Sequence, residues 1–343
     1  MASGGSKSSK QTLRAAVLGA GSWGTTVASI VSRNVPTIIW ARDQDTADEI
    51  NTKHTNSRYL ADLKLSRSLE ATSDMEQALK DADLVIMGVP SKAMRQTLTD
   101  AKPFIRPWVP IISLAKGFEP ATRLRMTEVI KEIMPGHPPG VLSGPNLARE
   151  IIQGYAAASV LAMEDEVIVK RLQPIFESNM FRVYSNTDVT GCELGGALKN
   201  VIAIAAGMGD GAGAGENTRS AVVTRGLAEI TRLGCAMGGR PETFAGLAGM
   251  GDLMATCTST LSRNHSVGEA LGRGKTIQQI IDDMNQVAEG VNSSKIVMDL
   301  AEDYEVEMPI AREVYRVCHE GSTARQAFRG LLRAGHSSEL DPG

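Results

Sequence analysis

The run Gly19-Ala20-Gly21-Ser22-Trp23-Gly24 decides the fold of this chain. A short apolar strand, Arg14 to Leu18, leads directly into it, and a helical pattern continues from it to Val31. In this context the first glycine makes a tight turn, the second admits a pyrophosphate to the backbone, and the third packs the helix on the strand. The helix N-terminus faces the anion. We therefore predict a dinucleotide site here, instead of a glycine-rich turn without a ligand.

The rest of the first half repeats this alternation of strand and helix. Apolar runs that read as strands are Pro36 to Trp40, Leu84 to Val89, Pro110 to Ala115, Gly140 to Ser143, Ala157 to Ala162 and Phe181 to Tyr184. Consecutive β-α-β units with short connections imply right-handed crossovers and a parallel sheet. We predict a Rossmann-type doubly wound sheet, parallel at least through Ser143, and leave the directions of the later strands open.

The second half reads as helical from about Thr187 onward. Its helical patterns are Val189 to Met208, Thr218 to Met237, Thr276 to Asn285, Val291 to Tyr304, Pro309 to Glu320 and Thr323 to Leu332. A chain of 343 residues is expected to form two domains. The predicted fold class is α/β, a Rossmann-type sheet followed by an all-α C-terminal domain. The predicted ranges are a disordered tail over 1–12, a dinucleotide-binding domain over 13–186, a helical substrate and catalytic domain over 187–335, and a tail over 336–343.

Composition narrows the expected partners and compartment. A net charge of -3 with interspersed signs gives no basic footprint, which argues against nucleic acid and anionic membrane surfaces as partners. The four cysteines form no Cys/His cluster, so we expect no metal and a reducing, cytoplasmic location. Residues 1–10 lack the apolar core of a signal peptide. We also expect no membrane insertion. A helix needs about 20 apolar residues to span a bilayer, and the apolar run Asn200 to Gly209 is only half as long.

A single lysine, Lys199, lies in the apolar, small-residue run Glu193 to Asn200. Apolar neighbours at helical spacing predict a half-buried helix, from which a lysine most often snorkels to solvent. Its position just after the nucleotide-binding half favours catalysis, because oxidation of a secondary alcohol requires a base beside the hydroxyl. An ordinary lysine has a pKa of about 10.4. We therefore expect apolar burial and nearby cations such as Lys116 or Arg263 to favour the neutral amine, and Asp252 to orient the amine and partly oppose this effect.

The residues after the second strand bear on coenzyme choice. This strand ends in Ala41-Arg42-Asp43, where an NAD-selective site usually places a carboxylate on the ribose 2′-hydroxyl. Arg42 is suited instead to hold a 2′-phosphate through its planar fork of donors. Since Asp43 is adjacent, we expect NAD(P)(H) as coenzyme with NADPH slightly favoured. The alternative is a solvated Arg42 at a strand end.

Three further stretches carry polar groups that suit a ligand. Lys116 follows the carboxyl end of a predicted strand, where ligands bind in open parallel sheets; its alternative is an exposed loop lysine. Asp252 is the one charge in the run Gly249 to Cys257, and its alternative is a helix N-cap. The run Ser262-Arg263-Asn264 begins a short helix and suits a phosphate. We expect His265 to be structural, since it has no identifiable partner.

Seven short motifs follow one another along nearly the whole chain: Gly19 to Gly24, Ala115-Lys116-Gly117, Ser143-Gly144-Pro145, Gly196-Ala197-Leu198-Lys199-Asn200, Gly251-Asp252-Leu253, Ser262-Arg263-Asn264 and Val287-Ala288-Glu289-Gly290. In order and spacing they resemble the NAD(P)-dependent glycerol-3-phosphate dehydrogenases of the bacterial type. The resemblance implies reversible hydride transfer that interconverts sn-glycerol 3-phosphate and dihydroxyacetone phosphate. It also implies a role in supplying glycerol 3-phosphate for glycerophospholipid synthesis.

The resemblance implies roles for particular residues. It makes Lys199 the general acid and base of the reaction. It places substrate contacts at Lys116, Gly144, Asp252, Ser262, Arg263 and Asn264. It places cofactor contacts at Ser22, Trp23, Arg42, Tyr59, Lys116, Ala148, Arg263, Val287 and Glu289. These add to the predicted cofactor contacts of the glycines Gly19, Gly21 and Gly24.

The chain departs from the family pattern at one place. The family usually continues Ser-Gly-Pro with Ser-Phe-Ala, whereas this chain has Asn146-Leu147-Ala148. Asn146 both donates and accepts, so we expect its substrate contact to persist in altered geometry. Two alternatives stay open at this point, namely another two-domain NAD(P)-dependent dehydrogenase of the hydroxyacid or phosphogluconate kind, and a non-catalytic NAD(P)-sensing protein. We expect a phosphate-bearing small molecule as substrate and a homodimer.

Overall fold

The computed structural model describes residues 13–283 and 288–333. The predicted tails 1–12 and 336–343 and the predicted cofactor contact Val287 lie outside the described residues. Within that part of the chain, an eight-stranded sheet with its helices is followed by helices only. The predicted fold class is therefore confirmed.

The sheet contains short strands, most of them buried on both faces. They are β1 (Ala15–Leu18), β2 (Thr37–Trp40), β3 (Leu69–Thr72), β4 (Leu84–Met87), β5 (Ile111–Ser113), β6 (Pro139–Ser143), β7 (Ala157–Met163) and β8 (Phe181–Asn186). Their order across the sheet is β3-β2-β1-β4-β5-β6-β7-β8. The order reverses between β1 and β4, and ligands of open α/β sheets bind at such a crevice.

The strand directions that the sequence left open are now defined. Strand β7 runs antiparallel to β6, β8 runs parallel to β7, and the remaining neighbours are parallel. The sequence did not predict β3. Its run Leu-Glu-Ala-Thr has an exposed Glu70 and a single large apolar side chain, because it is an edge strand with little to bury.

Helices of the first half connect the strands and cover both faces of the sheet. They are α1 (Ser22–Val31), α2 (Gln44–Lys53), α3 (Ser57–Leu60), α4 (Met75–Leu79), α5 (Met94–Ala101), α6 (Met126–Ile133), α7 (Ala148–Ile152) and α8 (Glu166–Leu172). Two separate apolar clusters, built around Val17 and around Val85, pack against the strands of this half.

The second half is a bundle around one long helix. It comprises α9 (Val189–Gly211), α10 (Glu216–Ala236), α11 (Pro241–Ala245), α12 (Asp252–Thr258), α13 (Arg263–Gly272), α14 (Ile277–Asp283), α15 (Glu289–Asp303), α16 (Pro309–His319) and α17 (Ala324–Arg333). The long patterns that the sequence predicted as helices are helical within a few residues at each end. The sequence missed α11 and α12, which are short and contain little apolar periodicity.

Helix α9 corrects the reasoning about membranes. It has 23 residues and contains an 18-residue stretch with a mean hydropathy of 1.2, so it is long and apolar enough to span a bilayer, and the argument from the length of Asn200 to Gly209 was wrong. Nevertheless, 94% of that stretch is buried within the protein. Its neighbours are α10, α12, α13 and α15. Helix α9 is therefore the central core helix of the second half.

Candidate active site

The glycine-rich turn between β1 and α1 has the geometry of a dinucleotide cradle. Gly19 has φ +112°, and a Cβ there would lie 2.8 Å from the backbone of Gly88 on the neighbouring strand's loop. A Cβ on Gly24 would collide with the Gly19 carbonyl oxygen, whereas a Cβ on Gly21 would meet open space. No side chain among the described residues caps α1 at Gly21. The uncapped N–H groups and the open space above Gly21 fit a pyrophosphate.

Four residues predicted to contact the cofactor lie in or beside this turn. The Ser22 hydroxyl donates to the Tyr59 carbonyl oxygen at 3.2 Å, which ties α3 to the start of α1. Ala148 begins α7, which packs beside α1. The Trp23 ring turns away, into the core of the first half, and meets Phe181 edge-on at 6.2 Å. The indole N–H of Trp23 is buried without a hydrogen-bond partner among the described residues.

The carboxyl end of β2 presents a cation. Arg42 is exposed just after the strand. The adjacent Asp43 caps α2, because its carboxylate accepts the Asp45 backbone N–H at 3.2 Å. The Asp43 carboxylate thus already has a structural partner, while Arg42 faces solvent near the cradle.

Two lysines and one aspartate form the centre of the site. The Asp252 carboxylate accepts Lys116 Nζ at 2.7 Å on one oxygen and lies 3.2 Å from Lys199 Nζ on the other. Lys116 Nζ also donates to the Gly144 carbonyl oxygen at 2.7 Å. Lys199 is 4% exposed and Asp252 is 2% exposed. Lys199 therefore does not snorkel, and the Asp252 side chain binds lysines instead of capping α12.

Burial and neighbouring charges set the protonation of this centre. Burial, opposed by the attraction of Asp252 and reinforced by the positive charge of Lys199, lowers the pKa of Lys116 to about 8. Burial also raises the pKa of Glu289, an effect that the nearby charge of Arg263 opposes. Glu289 thus lies within electrostatic reach of Arg263, Lys199 and Lys116. Predicted site residues from five separate segments are therefore brought together, namely Lys116, Lys199, Asp252, Arg263 and Glu289.

A chain of amide hydrogen bonds connects the centre to α13. Asn200 Nδ2 donates to the Lys116 carbonyl oxygen at 3.1 Å, and Asn264 Nδ2 donates to Asn200 Oδ1 at 2.9 Å. Asn264 Oδ1 accepts the Gly290 N–H at 2.9 Å. Ser262 caps α13 by accepting the His265 N–H at 3.2 Å. The N-terminal turn of α13, which carries Arg263, is therefore held next to the two lysines.

His265 has a partner that the sequence did not reveal. Its Nε2 lies 2.7 Å from a carboxylate oxygen of Asp210, which also accepts the Arg219 guanidinium at 2.9 Å. This cluster joins the ends of α9, α10 and α13. His265 is structural, as expected.

Asn146 is engaged on one side only. Its Oδ1 accepts the Ser159 hydroxyl at 3.0 Å, and its Nδ2 is buried without a partner among the described residues. A buried donor without a partner is costly. The Asn146 amide is therefore suited to donate to a ligand at Gly144. Gly144 packs closely against Ser159, the residue that Asn146 also contacts.

The sequence did not single out two residues that complete the centre. The Thr256 hydroxyl accepts from Lys199 Nζ and donates to the Asp252 carbonyl oxygen at 2.6 Å. Thr256 follows Asp252 by four residues, so helical spacing could have identified it. Asn200 could have been found only from the fold, because its partners come from distant segments. Among the described residues, no group of His, Cys, Asp and Glu could hold a metal ion.

Comparison with known proteins identifies the family. The model of the NAD-dependent glycerol-3-phosphate dehydrogenase N-terminus matches residues 14–169, and that of the C-terminus matches residues 188–329. A glycerol-3-phosphate dehydrogenase of Sphingopyxis alaskensis is 60% identical over 96% of this chain and 99% of its own length. One from Mycobacterium avium is 56% identical over 92% and 93%.

A solved structure agrees with these matches. Glycerol-3-phosphate dehydrogenase of Coxiella burnetii superposes with a TM-score of 0.89 at 37% identity, over 94% of this chain and 99% of its own. Family models therefore match both halves, and the relatives and the structure match nearly the whole chain. The chain is an enzyme of the NAD(P)-dependent glycerol-3-phosphate dehydrogenase family.

Proposed function

We propose that this protein interconverts sn-glycerol 3-phosphate and dihydroxyacetone phosphate with NAD(P)(H). The observation that carries the proposal is the Asp252 carboxylate, which pairs with both Lys116 and Lys199 and so holds the two lysines side by side. Neither a sensor of the cofactor nor a dehydrogenase for a substrate without phosphate needs this centre next to the N-terminus of α13. The family relatives support the same choice.

Lys199 is proposed as the general acid and base. The bound nicotinamide exchanges a hydride with carbon 2 of the substrate. In oxidation, Lys199 Nζ takes the proton of the carbon 2 hydroxyl, and in reduction it returns that proton to the forming alkoxide. Asp252 and Thr256 fix the position of the amine. The amine is buried, and Lys116 lies beside it on the same carboxylate.

The phosphate of the substrate is proposed to bind at the N-terminal turn of α13. Arg263, the first residue of the ten-residue helix α13, supplies a planar fork of donors, and the N-terminus of that helix favours an anion beside it. Asn264 supplies one remaining N–H, since its other amide groups bond Asn200 and Gly290. Lys116, Gly144 and Asn146 are proposed to contact the glycerol end of the substrate.

The dinucleotide is proposed to lie along Gly19 to Gly24 and to favour NADPH. The capping role of Asp43 supports this preference, because it leaves Arg42 as the group free to meet the ribose. Ser22, Trp23, Tyr59, Ala148 and Glu289 complete the proposed contacts.

The setting of the reaction is proposed as well. We propose a cytoplasmic enzyme that supplies glycerol 3-phosphate for glycerophospholipid synthesis, with its two domains at 13–186 and 187–335. The four cysteines are free, which suits a reducing compartment. Met250, Met254 and Leu261 are exposed apolar side chains close together in sequence, which supports a homodimer. Light scattering at twice the chain mass would agree with the dimer, and a monomer mass would contradict it.

The decisive experiment is reduction of dihydroxyacetone phosphate with NADPH and NADH, followed by nicotinamide absorbance. We expect turnover with both, faster at low NADPH than at low NADH. Arg263→Ala should raise KM for dihydroxyacetone phosphate about 10-fold or more, since a charged hydrogen-bond donor is lost. Dinucleotide binding without turnover of any ketone phosphate would favour the sensor instead. Turnover of a hydroxyacid instead of glycerol 3-phosphate would favour the alternative of a hydroxyacid or phosphogluconate-like dehydrogenase.

A further inference from the structure

Residues Lys116–Thr127, here called the connector, link β5 to the first turn of α6 and thus belong to the first half by sequence. Their contacts, however, reach the second half. Phe118 is 2% exposed and packs in the apolar core formed around α9. The Lys116 carbonyl oxygen accepts Asn200 Nδ2 at 3.1 Å, and Arg123 pairs with Asp303 at 2.6 Å. The connector is therefore bound to the helical half at several points, while Glu119 in its middle pairs with Arg95 of the first half.

The far end of the connector is held by a buried carboxylate of α9. Glu193 accepts the Thr127 N–H at 2.9 Å, the Thr127 hydroxyl, and Arg125 Nη1 at 2.7 Å. It thereby caps the N-terminus of α6 from the opposite half of the molecule. Burial raises the pKa of Glu193, and the charge of Arg125 and the bonds from Thr127 oppose that rise. A buried carboxylate is tolerated only where such partners satisfy it.

The same helix holds both ends of the connector. Glu193 and Lys199 are six residues apart on α9, which corresponds to about 9 Å along the helix axis. Thr127 is bound at Glu193, and Lys116 is bound at Asp252 beside Lys199. Release of the Glu193 end would let the connector shift along α9 and carry Lys116 away from the amine.

We propose that Glu193 is a positioning residue, which fixes the connector on α9 so that Lys116 stays next to Lys199. This inference rests on the proposed function, because it assigns Glu193 an effect on the proton transfer of Lys199. The groups that face Lys199 are Lys116 from the connector, Asp252 and Cys257 from α12, and Glu289 from α15. Lys116 is the cation on the same carboxylate as Lys199, and Arg263 of α13 lies near Glu289. Withdrawal of Lys116 removes a positive charge from beside the Lys199 amine and leaves Lys199 as the partner of Asp252.

The test compares two buried glutamates in the full-length enzyme. Glu193→Gln keeps the shape of the side chain but sets an amide donor against the donors of Arg125 and Thr127. The control is Glu229→Gln, because Glu229 is 2% exposed and also caps a helix, accepting the Ile310 N–H at 2.7 Å, but within the helical half. Both variants should lose stability, so stability alone does not distinguish the two roles.

We expect Glu193→Gln to lower kcat/KM for oxidation of glycerol 3-phosphate about 10- to 100-fold, in line with misplacement of a group near the reacting atoms. The acid limb of its pH profile should move to higher pH, while the Kd of the dinucleotide and the profile of Glu229→Gln stay unchanged. A profile of Glu193→Gln that superimposes on that of the wild type overturns the inference. If that variant does not fold, Thr127→Val, which removes one of the three donors, is expected to show the same shift to a smaller extent.

A readout independent of turnover separates this inference from the proposed function. Hydrogen exchange should show faster exchange across the connector in Glu193→Gln and not in Glu229→Gln. If the wild type turns over neither glycerol 3-phosphate nor dihydroxyacetone phosphate, the proposed function fails. Hydrogen exchange alone then decides whether Glu193 holds the connector. Unchanged protection of the connector would then contradict the role of Glu193.

Discussion

The two parts of the candidate site, the glycine-rich turn (here the dinucleotide end) and the lysine centre (here the lysine end), are built in opposite ways. The dinucleotide end consists of backbone, where glycines leave open space and the first turn of α1 has no side-chain cap among the described residues. The lysine end consists of buried side chains from the connector, α9, α12 and α13, each bonded to another. A backbone cradle depends on a few consecutive residues. A side-chain network depends on the packing of the whole molecule.

This difference predicts how each end responds to mutation. A change in the cradle should alter binding of the dinucleotide and leave the lysines in place. A change among the lysines should alter proton transfer and leave the cradle in place. The predictions below test that separation, beginning with the largest effect.

Replacement of the proposed acid and base should have the largest effect. We expect Lys199→Met to lower kcat by about 10²- to 10⁴-fold, as is typical when a general acid or base is lost. Dinucleotide binding, measured by fluorescence titration, should persist, since the cradle lies on another element. Lys170→Met is a control, because Lys170 is an exposed lysine paired with Glu166 on α8. Near-normal turnover of Lys199→Met would remove it from the reaction.

Two glycines of the cradle should separate folding from binding. A Cβ on Gly24 would meet the Gly19 carbonyl oxygen, so Gly24→Ala should cost about 1–3 kcal/mol of unfolding free energy and weaken the dinucleotide. Gly21→Ala has open space and should weaken the dinucleotide with little loss of stability. Urea unfolding and titration of NADPH measure both. Equal stability losses in the two variants would contradict the cradle geometry.

The same contrast explains what the sequence could predict. The run Gly19 to Gly24 predicted the cradle, and the apolar runs after it predicted the alternation of strands and helices. Both predictions were possible because turn chemistry and apolar periodicity are local properties of the sequence. That Asp252 would orient the Lys199 amine was expected, but the sequence did not reveal that one carboxylate holds both lysines, since Lys116 and Lys199 are separated from Asp252 by 136 and 53 residues in sequence. The burial of Lys199 was expected only once its position favoured catalysis, because a lysine in an apolar helix more often snorkels. Only the packing of α9 in the centre of the helical half excludes that alternative here.

The lysine end should also give the protein a pH-dependent stability. The pKa of Lys116 is about 8 in the folded protein against an ordinary 10.5, so the unfolded chain binds more protons between these values. The free energy of unfolding should therefore rise from pH 8 to pH 10.5, by roughly 1–3 kcal/mol. Lys116→Met should lose this rise in urea unfolding across the range, whereas Lys170→Met should keep it. Parallel slopes for wild type and Lys116→Met would show that Lys116 is not buried as described.

The smallest effect is expected at the outer edge of the cradle. Arg42 is exposed, so its proposed bond to a 2′-phosphate competes with water and should matter for one coenzyme only. We expect Arg42→Ala to raise KM for NADPH about 10-fold and to leave KM for NADH nearly unchanged, because NADH lacks the phosphate. Arg33→Ala, at an exposed position past the other end of α1, should change neither. Equal increases of KM for both coenzymes would mean that Arg42 supports the cradle and does not select the coenzyme. In either case kcat should stay constant if the dinucleotide end and the lysine end are independent.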